Sequence, residues 1–415
     1  MTSLSLLFHD SLKIGCLGFG GPAGQIALMH RVFVDERAWI DDLRFQRMLA
    51  FCMLLPGPEA QQLATYVGWR LRGAAGALIA GWMFVLPGAL VVLALSWLYV
   101  MYGALPAVAA AFDGVKCAVI ALVAEALLKV GKRALKTRVA LWIALAAFVA
   151  LMFSAPFPLV IVAAGVIGAF LLPAHQLSSG RDFSDIEKTG AWKHAMLWLL
   201  LWLGPVAVIG ATLGTEHVLF QVALLFSVLA CVTFGGAYAL LAYLTTEAAA
   251  RGWLTPAQMI DGLGLAETTP GPLILVNEFV GFLAGWGAGG AGLALAGAGI
   301  ALWCTFAPSF VWIFAGAPLA ERLQNNPRAA GALAGITAAV LGVIAKLALF
   351  FATHALFAAQ IEWGPAELPD LASARLWMLA LAAIAGVALI RFKANLLAVI
   401  AGCALAGLAA RALGL

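Results

Sequence analysis

The sequence predicts an all-α polytopic membrane protein built from two inverted-topology repeats with broken or re-entrant helices. Three observations predict it. Only 11% of the 415 residues are charged and 64% are hydrophobic, whereas a soluble domain is roughly 25% charged and 45–50% apolar. Apolar runs recur at lengths near the ~20 residues that a membrane helix needs. A set of helix-breaking motifs in the first half also returns, in the same order, in the second.

Residues 3–18 read as an apolar helix closed by Gly18-Phe19-Gly20-Gly21-Pro22. A second helical run reaches Glu36, a third extends from Asp41 to Leu55, and a fourth from Glu59 to Arg72. Each covers roughly 22 Å at 1.5 Å per residue, short of a hydrocarbon core of about 30 Å. Between the third and fourth lies Pro56-Gly57-Pro58. Its prolines lack N–H donors, and its glycine tolerates dihedrals that other residues avoid. In lipid, such a break survives only where it is buried in protein or lines a wet cavity. Full spans follow at 73–102, 104–130, 139–153 and 157–172, then a polar linker at 174–193 and a further span at 194–213.

The pattern then restarts. Phe19-Gly20-Gly21 returns as Phe234-Gly235-Gly236, offset by 215, and Pro56-Gly57-Pro58 returns as Pro270-Gly271-Pro272, offset by 214. Trp39 returns as Trp253 at 214, Val67-Gly68 as Val280-Gly281 at 213, and Pro87, Gly114 and Val119 as Pro308, Gly335 and Val340 at 221. Ordered recurrence at near-constant offset indicates duplication, with a first repeat at 1–173, a linker and connecting helix at 174–213, and a second repeat at 214–415. The basic loop Lys129 to Arg138 marks the cytoplasmic end of the span 104–130 by the positive-inside rule. Its mate, about 329–358, follows Arg322 and Arg328 and precedes the acidic Glu362, Glu367 and Asp370, so it runs the other way. The N-terminus is therefore expected in the cytoplasm and the C-terminus in the periplasm. As re-entrant hairpins, the short segments predict about nine spans; as broken crossings, about thirteen.

Inverted repeats with interrupted segments are the pattern of secondary transporters, and helix N-termini facing a cavity favour an anion. Lys116, inside an apolar span, is a candidate anion ligand. Glu59, Glu125, Glu278 and Lys346 are coupling candidates. Glu125 and Lys346 are mates at offset 221, which would place them near a pseudo-two-fold axis as an ion pair or as functional charges. The six cysteines stand singly, and there is no HExxH, phosphate-binding loop or GxSxG. No metal, cofactor or enzymatic chemistry is expected, and a net charge of +4 gives no reason to propose nucleic acid as a partner.

Leu17-Gly-Phe-Gly-Gly-Pro-Ala-Gly-Gln25, Leu54-Leu-Pro-Gly-Pro-Glu-Ala-Gln-Gln62, Phe234-Gly-Gly-Ala-Tyr and Thr268-Thr-Pro-Gly-Pro272 together resemble the chromate ion transporter family in its long, two-domain form. The resemblance covers almost the whole chain. It implies a bacterial inner-membrane exporter of chromate that confers chromate resistance, with sulfate as the isosteric competitor. The alternative is a transporter of sulfate or a related tetrahedral oxyanion. Carried over by motif, the substrate-binding residues are Phe19, Gly20, Gly21, Gln25, Pro56, Gly57, Pro58, Gln61, Gln62, Phe234, Gly235, Gly236, Thr268, Thr269, Pro270, Gly271 and Pro272. Lys116 joins them, in a run similar to the family's Gly-Ile-Lys-Pro-Ala-Val. Cys117 replaces the proline of that run, and Lys346 stands where the family more often has a neutral polar residue. The expected partners are the oxyanion, the bilayer and, as is common among inverted-repeat transporters, a second copy of the chain.

Overall fold

A computed structural model describes residues 3–19, 21–172, 191–234, 237–319, 326–363 and 366–414. Helix α1 spans Leu4–Leu17, α2 Gly21–His30 with a π-helical extension Arg31–Glu36, and α3 Asp42–Cys52. The starts of α1 and α3 are fixed by side-chain caps: Ser3 accepts from the Leu6 N–H at 3.1 Å and Asp41 from the Arg44 N–H at 2.9 Å. Helix α4, Glu59–Tyr102, is two helices joined at Arg72 and Gly73, where the glycine takes φ 60° and ψ −152°. Helices α5 (Pro106–Ala134), α6 (Arg138–Met152), α7 (Phe157–Leu171) and α8 (Ala191–Leu213) follow.

In the second half come α9 (Val218–Val232), α10 (Ala237–Ala250), α11 (Pro256–Thr268), α12 (Val276–Gly289) and α13 (Ala291–Gly316). Gly290, between α12 and α13, takes φ 77° and ψ −156°, the conformation of Gly73. The short helix, glycine hinge and long helix of the first half are thus repeated. Helices α14 (Pro327–Leu356), α15 (Leu376–Ile390) and α16 (Leu396–Ala412) complete the chain. The acidic loop before α15 contains a small antiparallel hairpin, Gln360–Trp363 paired with Ala366–Pro369.

Among the described residues, α4, α5, α8, α13 and α14 are long and apolar enough to cross a membrane. Helices α6, α7 and α15 have 15 residues and α16 has 17, so four of the nine spans expected are shorter than a hydrocarbon core.

The chain forms two compact units, and each draws on both halves of the sequence. The first comprises Met1–Ala94, Ala174–Ala237 and Thr269–Ala330. In it α13 is packed by α8, α9 and α12, with Trp198 stacked on Phe310 at 4.3 Å. The second comprises Leu95–Pro173, Tyr238–Thr268 and Gly331–Leu415, with α11, α15 and α16 around α5.

Small residues bring backbones together, as van der Waals packing in lipid requires. A methyl group on Gly114 of α5 would stand 1.9 Å from the Cys403 carbonyl of α16, and one on Gly335 of α14 would stand 2.2 Å from the Ala164 carbonyl of α7. Gly114 and Gly335 are mates at offset 221. Helix α5 of the first half therefore packs on the last helix of the second half, and α14 packs on the last helix of the first. The halves exchange partners.

Candidate functional site

Each break interrupts the helical bonding, so its donors and acceptors must be satisfied elsewhere. They are satisfied across the halves. The Gly57 N–H donates to the Thr233 carbonyl at 2.8 Å, and the Gly271 N–H to the Gly18 carbonyl at 3.0 Å. Gly57 and Gly271 are 214 residues apart, and Gly18 and Thr233 are 215. This is one interaction made twice, joining the Pro-Gly-Pro turn of each half to the residue before Phe-Gly-Gly in the other. Both turn glycines have positive φ, +109° at Gly57 and +93° at Gly271, which no L side chain adopts without strain. Gly57 faces Ser309 and Gly271 faces Gly88; these two follow the helix prolines Pro308 and Pro87, again at offset 221.

The chemistry around this framework is one-sided. Gln25, Glu59, Gln61 and Gln62 have Leu240, Leu273, Leu275 and Val276 as their mates. Gln25 is fully buried, and its Nε2 donates to the Gly271 carbonyl at 2.6 Å and the Gly18 carbonyl at 3.3 Å. It therefore binds both ends of one crossing. Pro22, Gln25, Gly57, Pro58, Glu59, Ala60, Thr233 and Pro272 to Ile274 line a small cleft. The N-terminus of α4 opens onto it. The first helical bond there runs from the Gln62 N–H to the Pro58 carbonyl at 3.0 Å, so the N–H groups of Glu59, Ala60 and Gln61 precede the helical ladder.

Buried polar atoms gather in the same unit. Both amide atoms of Gln61, Gln62 Oε1, Thr65 Oγ1, Asn277 Oδ1 and Ser309 Oγ have no hydrogen-bond partner. Gln62 Nε2 donates to the Pro56 carbonyl at 2.6 Å, and Asn277 Nδ2 to Thr305 Oγ1 at 3.0 Å. Unmet polar atoms cost ~1–3 kcal/mol each, and a group of them points to a bound ligand or water.

Four of the sequence-predicted substrate residues, Gly57, Pro58, Gln25 and Pro272, line the cleft, and Gly271 closes it through its bonds to Gly18 and Gln25. Phe19 is exposed and Phe234 half-buried. Gly21 begins α2 at φ +70°. Gly20, Gly235 and Gly236 lie outside the described residues. Thr268 donates its hydroxyl proton to the Leu265 carbonyl of its own helix at 2.8 Å, which is a terminal bond of α11.

Lys116 belongs to the other unit, where its ammonium is taken by carboxylates: Asp113 at 2.8 Å and Asp261 at 3.7 Å. Glu125 pairs with Lys129 at 2.7 Å, one turn along α5. Lys346 donates to the Leu151 carbonyl at the end of α6 at 2.8 Å. The mates Glu125 and Lys346 thus form no ion pair with each other, because each finds a nearer local partner. Glu59 is in the cleft lining, and Glu278 is buried on α12 with one oxygen lacking a hydrogen bond. Two buried acids escaped the sequence reading: Asp261 and Glu267 on α11. Their signal is present, two carboxylates six residues apart in the otherwise apolar Met259–Glu267 run.

Comparison with known proteins agrees with this geometry. The chromate transporter family profile matches residues 5–169 and 220–408, two regions that begin 215 residues apart. A chromate transport protein of Pseudomonas aeruginosa is 33% identical over 341 residues, covering 81% of this chain and 78% of the relative. A probable chromate transport protein of Synechococcus elongatus is 31% identical, covering 83% of each. A chromate transport protein of Cupriavidus metallidurans is 30% identical, covering 83% of this chain and 82% of the relative. No solved structure matches the chain. With both halves matched by one profile and the motif breaks bonded to one another, the chain is a multi-pass membrane protein of the chromate transporter family.

Proposed function

We propose that the protein exports chromate across the bacterial inner membrane, driven by the membrane potential, with the anion held at the N-terminus of α4 where the breaks meet. The observation that carries this reading is the amide end of α4 opening onto a cleft that Gln25 and Glu59 line from the first half and Thr233 from the second. The first-turn N–H groups of Ala60 and Gln61, which precede the helical ladder, and the positive end of the helix dipole suit an oxyanion. Glu59 lines the same cleft, so its carboxylate and the anion compete for one set of donors. The short arms α1, α2, α3, the part of α4 before its break at Arg72 and Gly73, and α9 to α12 are then re-entrant hairpins, and the two repeats are inverted, with a cytoplasmic N-terminus and a periplasmic C-terminus.

An inside-negative potential is worth about 2.3 kcal/mol per charge per 100 mV, so moving a dianion outward gains about 4.6 kcal/mol at 100 mV. That sustains more than a thousandfold gradient with no coupled ion. Backbone donors recognise oxygens rather than the central atom, so sulfate or another tetrahedral oxyanion is expected to compete. The test is chromate uptake into everted vesicles at clamped potential, with sulfate and molybdate as competitors. Uptake should rise as the vesicle interior is made positive. Uptake that ignores the potential and requires an opposing sodium gradient overturns the mechanism.

A further inference from the structure

The second unit contains two charge clusters of the same make. In one, Lys116 of α5 pairs with Asp113 at 2.8 Å and faces Asp261 of α11 at 3.7 Å, while the Tyr99 hydroxyl donates to Asp261 at 2.8 Å. In the other, Lys129 of α5 pairs with Glu125 at 2.7 Å. Glu267 of α11 accepts the Tyr238 hydroxyl at 2.5 Å and lies within electrostatic reach of Glu125 and Lys129. Each cluster has two carboxylates, one lysine and one tyrosine, and so carries one negative charge in excess when fully ionised. In both, the surplus carboxylate is the α11 residue, and Asp261 and Glu267 are only 6% and 7% exposed.

A surplus charge in a low-dielectric interior is costly, and a carboxylate can remove it by taking up a proton. The lysine does not lose its counter-charge when that happens, because Asp113 or Glu125 remains paired with it. Helix α11 is held tightly along α5 between the two acids: a methyl group on Gly264 would stand 2.5 Å from Val115 Cγ1. The outlying members are the more exposed ones, with the Asp113 side chain 34% exposed and that of Lys129 67%. Asp113 and Lys129 are 16 positions apart on α5, about 24 Å of helix rise. The other titratable groups beside the first cluster are Cys117 of α5 and Cys403 of α16.

We propose that Asp261 and Glu267 are the two stations of a proton path along α5 and α11, and that this path supplies proton exchange to the transport cycle. A hydronium at the Asp113 end gives its proton to the Asp261 carboxylate and leaves water; the cluster goes from one net negative charge to none. The proton then passes to Glu267 and leaves to water beside Lys129. Six residues of α11 separate the stations, about 9 Å of rise. This rests on the reading that the protein moves chromate.

The experiment uses the full chain in liposomes with a trapped pH dye, at zero potential, under a chromate gradient. The wild type should move protons opposite to chromate. Asp261→Asn and Glu267→Gln should each lose that proton movement and the pH dependence of net flux, while exchange of labelled chromate for chromate persists. Exchange reads folding and anion binding independently. Tyr238→Phe, which removes only a hydroxyl, should displace the pH midpoint of net flux with exchange unchanged. Proton movement that survives both carboxylate substitutions, or wild-type exchange with no proton movement at all, overturns the path. Absence of chromate exchange in the wild type sinks the transport reading instead.

Discussion

The exchanged glycine bonds lead to a paired test. Gly57→Ala and Gly271→Ala place the same methyl group at equivalent positions of the two breaks. Each forces a side chain into a positive-φ backbone, at ~1–3 kcal/mol. Their neighbours differ. At Gly271 the new carbon would lie 3.0 Å from Leu275 Cδ1 and 3.3 Å from Gly88 Cα, so the backbone of α4 must yield, adding ~1–3 kcal/mol of overpacking. At Gly57 it would lie 3.0 Å from Gln62 Nε2, a flexible end that swings away and gives up its bond to the Pro56 carbonyl, ~1 kcal/mol. Gly271→Ala should therefore destabilise more, and Gly57→Ala should harm transport more, because the displaced Gln62 sits beside the α4 N-terminus. A loss of ~1.4–2.8 kcal/mol in anion binding is ten- to a hundredfold in affinity. Thermal unfolding in detergent reads the first effect, and half-saturation of chromate flux in vesicles reads the second. If Gly57→Ala transports with wild-type affinity, or if the folded Gly271→Ala protein loses affinity equally, the one-sided site is refuted.

Gln25→Leu removes the amide that spans Gly18 and Gly271 and should cost ~1–3 kcal/mol of stability, with a fall in chromate affinity measured on the folded fraction. Asp10→Asn breaks the two-point contact with Arg37, at 2.7 and 2.9 Å. Because the guanidinium is 38% exposed, the expected loss is ~1–2 kcal/mol rather than that of a fully buried pair, read as a lower unfolding midpoint. Gly114→Ala and Gly335→Ala should both abolish the yield of folded protein, whereas Gly386→Ala, with nothing within 4 Å of the added methyl, should not. At the polar end of the first short-helix pair, the Asp42 hydrogen bond at 2.7 Å raises the His30 pKa above 6.5, and His30 in turn lowers that of Asp42. The His30 contribution is complete below pH 6.5 and lost as pH rises through its raised folded value, while that of Asp42 is lost as pH falls through its lowered one. His30→Gln should flatten the alkaline decline, seen as unfolding midpoints across a pH series.

The breaks were legible because proline and glycine act locally: a missing N–H and a positive φ at Gly57 or Gly271 need no tertiary knowledge. The duplication was legible for the same reason, since Gly73 and Gly290 repeat a conformation that only such residues hold. Exchange between halves was not legible. Offsets give equivalence, not contact, and nothing in the sequence says that Gly57 bonds Thr233 rather than Gly18. Charges were read least well. For Lys116 the Asp113 pairing was readable one turn away, but its second partner, Asp261, is 145 positions away in the sequence. Glu125 and Lys346 looked like partners because their equivalence was mistaken for proximity, while Lys129 and the Leu151 carbonyl were nearer.

The account stands most directly on where the oxyanion binds. A solved structure with selenate or chromate bound, read from the anomalous signal of the heavy atom, locates it without mutation. The account predicts one tetrahedral anion within hydrogen-bond reach of the Ala60 and Gln61 N–H groups, beside Gly57 and Gln25. Occupancy at Lys116 or among the loop arginines, with the α4 terminus empty, would contradict it.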